Sequence, residues 1–275
     1  NQAGQGTPGD RNIAFGTLSA YYNQASYVIS LGDNAAKNNA GNNLIAIGTE
    51  AADYTPSSAQ WQQGEYNIAI GYQALYNNNN PYRTNIVALG YHAGYSTGHS
   101  VGNADSAVYI GQSAGMDASG TAMVAVGAGA CYGSQSEYLI GLGYNAATAS
   151  TSSYSIGIGG NAASSTNGNR IIAIGQDVAT NFDKNDVIGI GVSALTNIQG
   201  DYLGNVIAIG TNALSGINSG KTDTSKYELI GIGEGAAINS AAINRSIMIG
   251  NHAGEGCNND GLGGTESNNV VIGHD

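Results

Sequence analysis

Charge is what this chain has least of. Only 10% of its 275 residues are Asp, Glu, Lys or Arg, far below the usual quarter. Eight basic residues stand against 19 acidic ones, for a net charge of −11. That shortage argues against a nucleic-acid partner, because phosphate binding needs Lys and Arg. It argues equally against anionic membrane surfaces. No apolar run approaches the roughly 20 residues that span a bilayer, so no membrane insertion is expected. Proline is rare at 3 residues, which excludes collagen and Pro-rich linkers. Two cysteines, Cys131 and Cys257, make no disulfide framework and read as ordinary small packed side chains. The four histidines, His92, His99, His252 and His274, lack metal-ligand spacing, so neither metal nor cofactor is expected. With no initiator Met and no secretion signal, the chain reads as a mature product or an excised segment.

Glycine is abundant, at 43 residues, and it is periodic. Fifteen short motifs share one pattern: a β-branched residue, a small residue, a bulky apolar residue, Gly, two variable residues, Ala. Their glycines run from Gly16 to Gly273 and include Gly48, Gly71, Gly143, Gly175 and Gly210. From Gly111 to Gly191 the spacing is 16 each time, and elsewhere it is 16, 17, 19, 21 or 23. A constant base spacing with sporadic additions describes one coil repeated, with loops inserted on it. We number each coil from its glycine as position 0. Position −3 is Ile or Val in every copy, and position −1 is Ile, Leu, Val or Phe. Position −2 is Ala or Gly except at Ser30, Tyr109, Met248 and Val271, and position +3 is Ala except at Ser19 and Val178.

Side chains alternate faces along a strand. The bulky positions therefore share one face and the small position points the other way. A thin coil buries one face in its own interior, so the other needs a cover. The pattern predicts that the bulky face is internal and that the small face packs closely on identical neighbours. The anchor glycine ends the strand at a corner that favours φ > 0 or leaves no room for a Cβ. Sixteen residues suit two short strands and two turns. The expected fold is all-β: a parallel β-solenoid of about 15 coils with a 16-residue base repeat, one domain over 1–275. At the strand spacing of about 4.8 Å it would be a rod on the order of 70 Å long.

The run Asn67-Ile68-Ala69-Ile70-Gly71-Tyr72-Gln73-Ala74-Leu75 resembles the head repeats of YadA-like trimeric autotransporter adhesins. It also resembles bacteriophage tail-fibre repeats of the same β-roll type, and Asn205-Val206-Ile207-Ala208-Ile209-Gly210-Thr211-Asn212-Ala213-Leu214 matches equally well. The resemblance implies a left-handed β-roll, a homotrimer, and attachment to a host or surface, hence an extracellular place on a cell surface or virion fibre.

Departures from the scaffold are expected at about Thr49–Tyr66, Tyr72–Thr84, Tyr91–Ser106, Val192–Gly204, Thr211–Glu228 and Asn251–Ser267. Loops on a rigid scaffold are where binding usually lives. Seven of the 17 tyrosines fall between Tyr54 and Tyr95, with the single tryptophan. Trp61, Tyr76, Tyr82, Tyr91 and Tyr95 are therefore the candidates for contacting a cell-surface receptor or glycan. The competing reading is that these rings pack on neighbouring coils or subunits.

No catalytic constellation appears, and no enzyme is expected. Gly231-Ile232-Gly233-Glu234-Gly235 and Gly157-Ile158-Gly159-Gly160 imitate dinucleotide loops but have no βαβ unit around them. Gly216-Ile217-Asn218-Ser219-Gly220-Lys221-Thr222 is one residue short of a P-loop. Asn258-Asn259-Asp260-Gly261 with Glu266 reads as a polar turn rather than a Ca²⁺ site. A polysaccharide-degrading tailspike would need paired carboxylates in a groove, and no regular Thr array suggests ice binding. A purely structural filament remains the rival. Its copies would join head to tail, the two residues after Gly273 and the first sixteen of the next copy completing one coil.

Overall fold

The computed structural model describes residues 2–5, 9–39, 41–53, 64–77, 84–97, 106–198, 203–217, 227–240, 245–257 and 269–274. Two compact units share them, Asn1–Thr148 and Ala149–Asp275. The first holds β1 (Ile13–Phe15), β2 (Ile29–Leu31), β3 (Ile45–Ile47), β4 (Ile68–Ile70), β5 (Val87–Leu89), β6 (Val108–Ile110), β7 (Val124–Val126) and β8 (Leu139–Leu142). The second holds β9 (Ser155–Ile158), β10 (Ile171–Ile174), β11 (Val187–Ile190), β12 (Leu203–Ile209), β13 (Tyr227–Ile232), β14 (Ser246–Ile249) and β15 (Val270–Ile272). The fold is all-β, a parallel β-solenoid whose fifteen strands follow sequence order in one sheet. No helix occurs among the described residues.

β-branched residues suit these pleated strands, and the anchor glycine stops each one. Register is set by the motif, not by coil length. Ile29 pairs with Ile45, and Ile45 pairs with Ile68, although the second step carries seven extra residues. The anchors stack so tightly that side chains are impossible there. Gly48 has φ 129°, and a Cβ on it would stand 2.5 Å from the carbonyl oxygen of Gly71. Gly71, Gly175 and Gly210 abut the carbonyls of Gly90, Gly191 and Gly233 in the same way. Gly143 shares the conformation at φ 132°.

Among the described residues each coil has one strand, not the expected two. Positions +1 to +6 form a wall of turns instead. Ala35 and Ala36 are both fully buried, and two successive inward residues are what a strand cannot supply. The wall alternates φ sign: Asn34, Ala36 and Asn38 have φ of 55°, 49° and 56°. Their N–H groups reach alternately to the coil before and the coil after. Asn34 N donates to Thr17 O at 2.9 Å, Ala36 N to Ala51 O at 2.8 Å, and Asn38 N to Tyr21 O at 2.8 Å. Left-handed backbone costs roughly 1–2 kcal/mol per non-glycine residue, and this ladder satisfies groups that burial would otherwise leave unpaired. Asn, Asp and Ser recur at +2, as at Asn145, Asn161, Asp177 and Ser193, and Asn and Asp are the residues that tolerate that conformation best.

The interior is small and inverts the expected faces. The −2 row points inward: Ala46, Ala69, Ala88, Ala125, Ala173 and Ala208 are fully buried. The −3 and −1 rows point outward. Thin coils leave no room for two isoleucines facing a wall of turns, and alanine on alanine is what fits. Position −4 also points inward, as Val28, Leu139 and Ile171, or as polar residues that accept from the next coil. Asn12 Oδ1 accepts from Val28 N at 2.9 Å, and Asn67 Oδ1 from Ile86 N at 2.9 Å. Position +7 closes the core, on some coils with hydrogen-bonded polar pairs, Asn23 with Asn39 at 3.2 Å and Ser150 with Thr166 at 2.8 Å, and on others with the buried apolar Ala118, Phe182 or Ile217.

Residue size is traded across this narrow space. Gly189 has no room for a Cβ because Leu195 Cδ1 would lie 2.9 Å away, and Gly231 yields to Leu214 at 2.8 Å. Gly141 yields to Cys131, whose Sγ would lie 2.7 Å away. Tyr109 reverses the trade, occupying the −2 position against Gly94 and Gly115.

Candidate functional site

Two outward surfaces stand apart from ordinary solvated coil. The first is the strand face. In the second unit, Ile172, Ile188, Ile207, Ile230, Ile247 and Val270 align at −3. The −1 row beside them is equally apolar, and Ile209 is 37% exposed within it. In the first unit Ile70 and Ile110 are 38% and 37% exposed at the same position. A continuous apolar surface of this kind is unusual on a soluble chain. At its −5 border in the second unit lies a groove of about 230 Å³, lined by Asn205, Glu228 and Arg245 beside Ile207, Ile230 and Ile247.

The second surface is aromatic. Tyr72 and Tyr91 both follow an anchor glycine, so they fall at one register position on successive coils. Their rings stack at 5.3 Å with 18° between planes. Tyr76 and Tyr95, both at +5, stack at 5.4 Å and 14°. His92 joins the two columns, 3.9 Å from Tyr91, 4.9 Å from Tyr95 and 5.7 Å from Tyr72, centroid to centroid. Its Nε2 is out of solvent with no hydrogen-bond partner among the described residues. Burial holds the imidazole below its ordinary pKa, so it is neutral at neutral pH. Burial, then the carboxylates of Asp53 and Glu50 on the preceding coil, pushes the Tyr76 hydroxyl up. Gln73 Nε2 donates to Glu50 Oε2 at 2.5 Å beside it. The result is a set of stacked rings flanked by acceptors, with Tyr72 and Tyr91 left exposed.

Tyr76, Tyr91 and Tyr95 are thus brought together, whereas Trp61 and Tyr82 lie outside the described residues. The three sit on the turn wall rather than on inserted loops. Tyr72–Asn77, Tyr91–Thr97, Thr211–Ile217 and Asn251–Cys257 are regular coil, with the same turns as the uninterrupted repeats. The insertions therefore begin later than expected. Tyr72 and His92 complete the cluster and were not among the candidates. Aligning the coils on their glycines shows the signal, since Tyr72 lies 19 residues before Tyr91, the same step as Gly71 to Gly90.

The imitation loops resolve into scaffold: Gly157 and Gly231 are interior strand positions, and Gly159 and Gly233 are anchors. The Asn258–Glu266 segment and residues 218–222 of the P-loop-like run lie outside the described residues. Among the described residues, no group of three His, Cys, Asp or Glu could hold a metal ion. No helix there is long and apolar enough to cross a membrane. No protein-family model matches the chain, and no curated protein matches it.

Proposed function

We propose that this chain is an extracellular fibre or adhesin module that associates with copies of itself through the isoleucine face and presents its tyrosine cluster to a receptor or surface glycan. The observation that carries the reading is the outward direction of the −3 and −1 rows. A coil that faces alanine inward and isoleucine outward has placed its strongest apolar surface where none of the described residues of the chain covers it. Removing that area from water stabilises by roughly 25 cal/mol per Å², and a second copy offers an identical apolar surface. The resemblance to adhesin heads and tail-fibre repeats favours three copies and a place on a cell surface or virion. The cluster around His92 supplies rigid aromatic area with polar edges, and no nucleophile–base pair is evident among the described residues that would favour catalysis.

Light scattering of the purified chain tests the assembly. We expect a trimer, and a single Ile188→Arg substitution should shift it to monomer without loss of β-structure by circular dichroism. A monomeric parent chain would defeat the reading. Attachment to a glycan array or to cells, measured for the parent and a Tyr72→Ala/Tyr91→Ala variant, separates the binding module from a purely structural filament.

A further inference from the structure

The isoleucine face is bordered by two corners, position −5 before the strand and position +1 after it. Each coil places one residue at each. The −5 corner carries Arg11, Tyr27, Tyr66, Tyr138, Tyr154 and Arg245 among others, held at positive φ. It belongs to the outer surface, as its share in the groove with Ile207, Ile230 and Ile247 shows. The +1 corner carries Asp33, Tyr72, Tyr91, Tyr144 and Glu234 among others. On three coils of the first unit the two corners carry the same residue type. Tyr66 faces outward on the coil of Tyr72, at 58% and 41% exposure. Tyr138 does so on the coil of Tyr144, at 51% and 65%. Ala122 and Ala128 flank the coil between Gly111 and Gly143, small beside small. Within one chain the members of a pair do not meet, because the strand lies between them.

We infer that neighbouring copies meet along a tyrosine seam, the −5 corner of one against the +1 corner of the next at the same height. The inference rests on the proposed self-association. Copies related by rotation about an axis along the stacking direction present unlike edges to each other, so −5 necessarily meets +1. Every coil then meets its own counterpart, and the matched corners become contacts: Tyr66 with the next copy's Tyr72, Tyr138 with its Tyr144, and alanine with alanine between them. An antiparallel arrangement would set each coil against a different one and lose the match.

Disulfide trapping tests the seam in the full chain. Cys257→Ser removes the exposed thiol, and buried Cys131 stays. Onto this background go Tyr138→Cys with Tyr144→Cys, and separately Tyr66→Cys with Tyr72→Cys. Each pair is separated within its chain by an extended strand of at least three residues, about 10 Å, beyond the roughly 7 Å a disulfide spans. Any bond formed therefore joins two copies. We expect mild oxidation to convert most of each double variant into covalent oligomers on a non-reducing gel, while each single variant stays uncrosslinked. Double variants that associate by light scattering yet do not crosslink overturn the seam and leave the self-association standing. A single variant that crosslinks to itself also overturns it, because like corners would then be in contact. Monomeric double variants alongside a monomeric parent overturn the seam together with the assembly beneath it.

Discussion

Tyr109 lies fully buried in a row of alanine and glycine, and Gly115 on the opposite wall of its coil has no space for even one more carbon because the tyrosine ring is there. Each residue explains the other. Tyr109→Ala should destabilise by about 3–5 kcal/mol through the cavity it leaves, and Gly115→Ala by about 1–3 kcal/mol through overpacking. The double variant restores the alanine pair found in other coils as Ala46 with Ala52 and Ala173 with Ala179, where Ala52 and Ala179 adopt the same backbone at φ 50° and 49°. Urea unfolding of the four proteins should give a coupling of at least about 1 kcal/mol. Simple additivity would contradict the size trade.

Gly175→Ala should destabilise its coil by about 1–3 kcal/mol or more, because a Cβ there meets the carbonyl of Gly191 at φ 131°. Gly160→Ala is the control. It has open space, with only Gln176 Cγ at 3.9 Å, and should be nearly neutral by the same unfolding measurement.

Ala173→Arg and Ile174→Arg are neighbours with opposite expected outcomes. The first forces a charge into the coil interior and should abolish folding of its repeat, seen as lost β-signal in circular dichroism. The second places the charge outside, and should leave the β-signal intact while weakening association.

The two thiols should differ in reactivity. Cys131 is buried, and burial pushes its pKa up to about 12, so almost none is thiolate at neutral pH. Cys257 is exposed. Iodoacetamide followed by mass spectrometry should add one adduct to the native chain, at Cys257, and two after denaturation.

His92 should make stability pH-dependent. Its native pKa is held below the ordinary 6.5, so the unfolded chain takes up the proton first. Stability from this group is unchanged above about pH 6.5 and falls as the pH drops through that value towards the native pKa. Thermal melts between pH 7.5 and 5 should show a shallower decline for His92→Phe than for the parent.

How far the fold was legible depended on which positions tolerate only one kind of residue. Gly48 and Gly175 sit where nothing else fits, and they print the period directly. The −3 and −1 rows print the strand. What stayed hidden was direction. Alternation shows that Ile172 and Ala173 point opposite ways but not which way is in, because that depends on the thickness of the coil. The adjacent buried pair Ala35 and Ala36 held the answer, since only a turn wall turns both inward. Positions −4 and +7 were missed because Asn12, Asn67 and Ser150 look like surface residues until their cross-coil hydrogen bonds are seen. Of the candidate site, the rings were legible and their stacking was not, because it required placing Tyr72 and Tyr91 on a common register.

The pairing of Ile45 with Ile68 across seven additional residues has a broader consequence. A coil here behaves like a thread of fixed pitch with one open notch. Extra length can be spliced in between +8 and −6 without turning any later residue to a different face, so such changes leave the isoleucine rows and the glycine stack in phase. Added length is thereby tolerated at one place in the coil while the strand and the glycine anchor keep their register. A scaffold with that division can change what it displays, coil by coil, while the surface that would hold copies together stays constant.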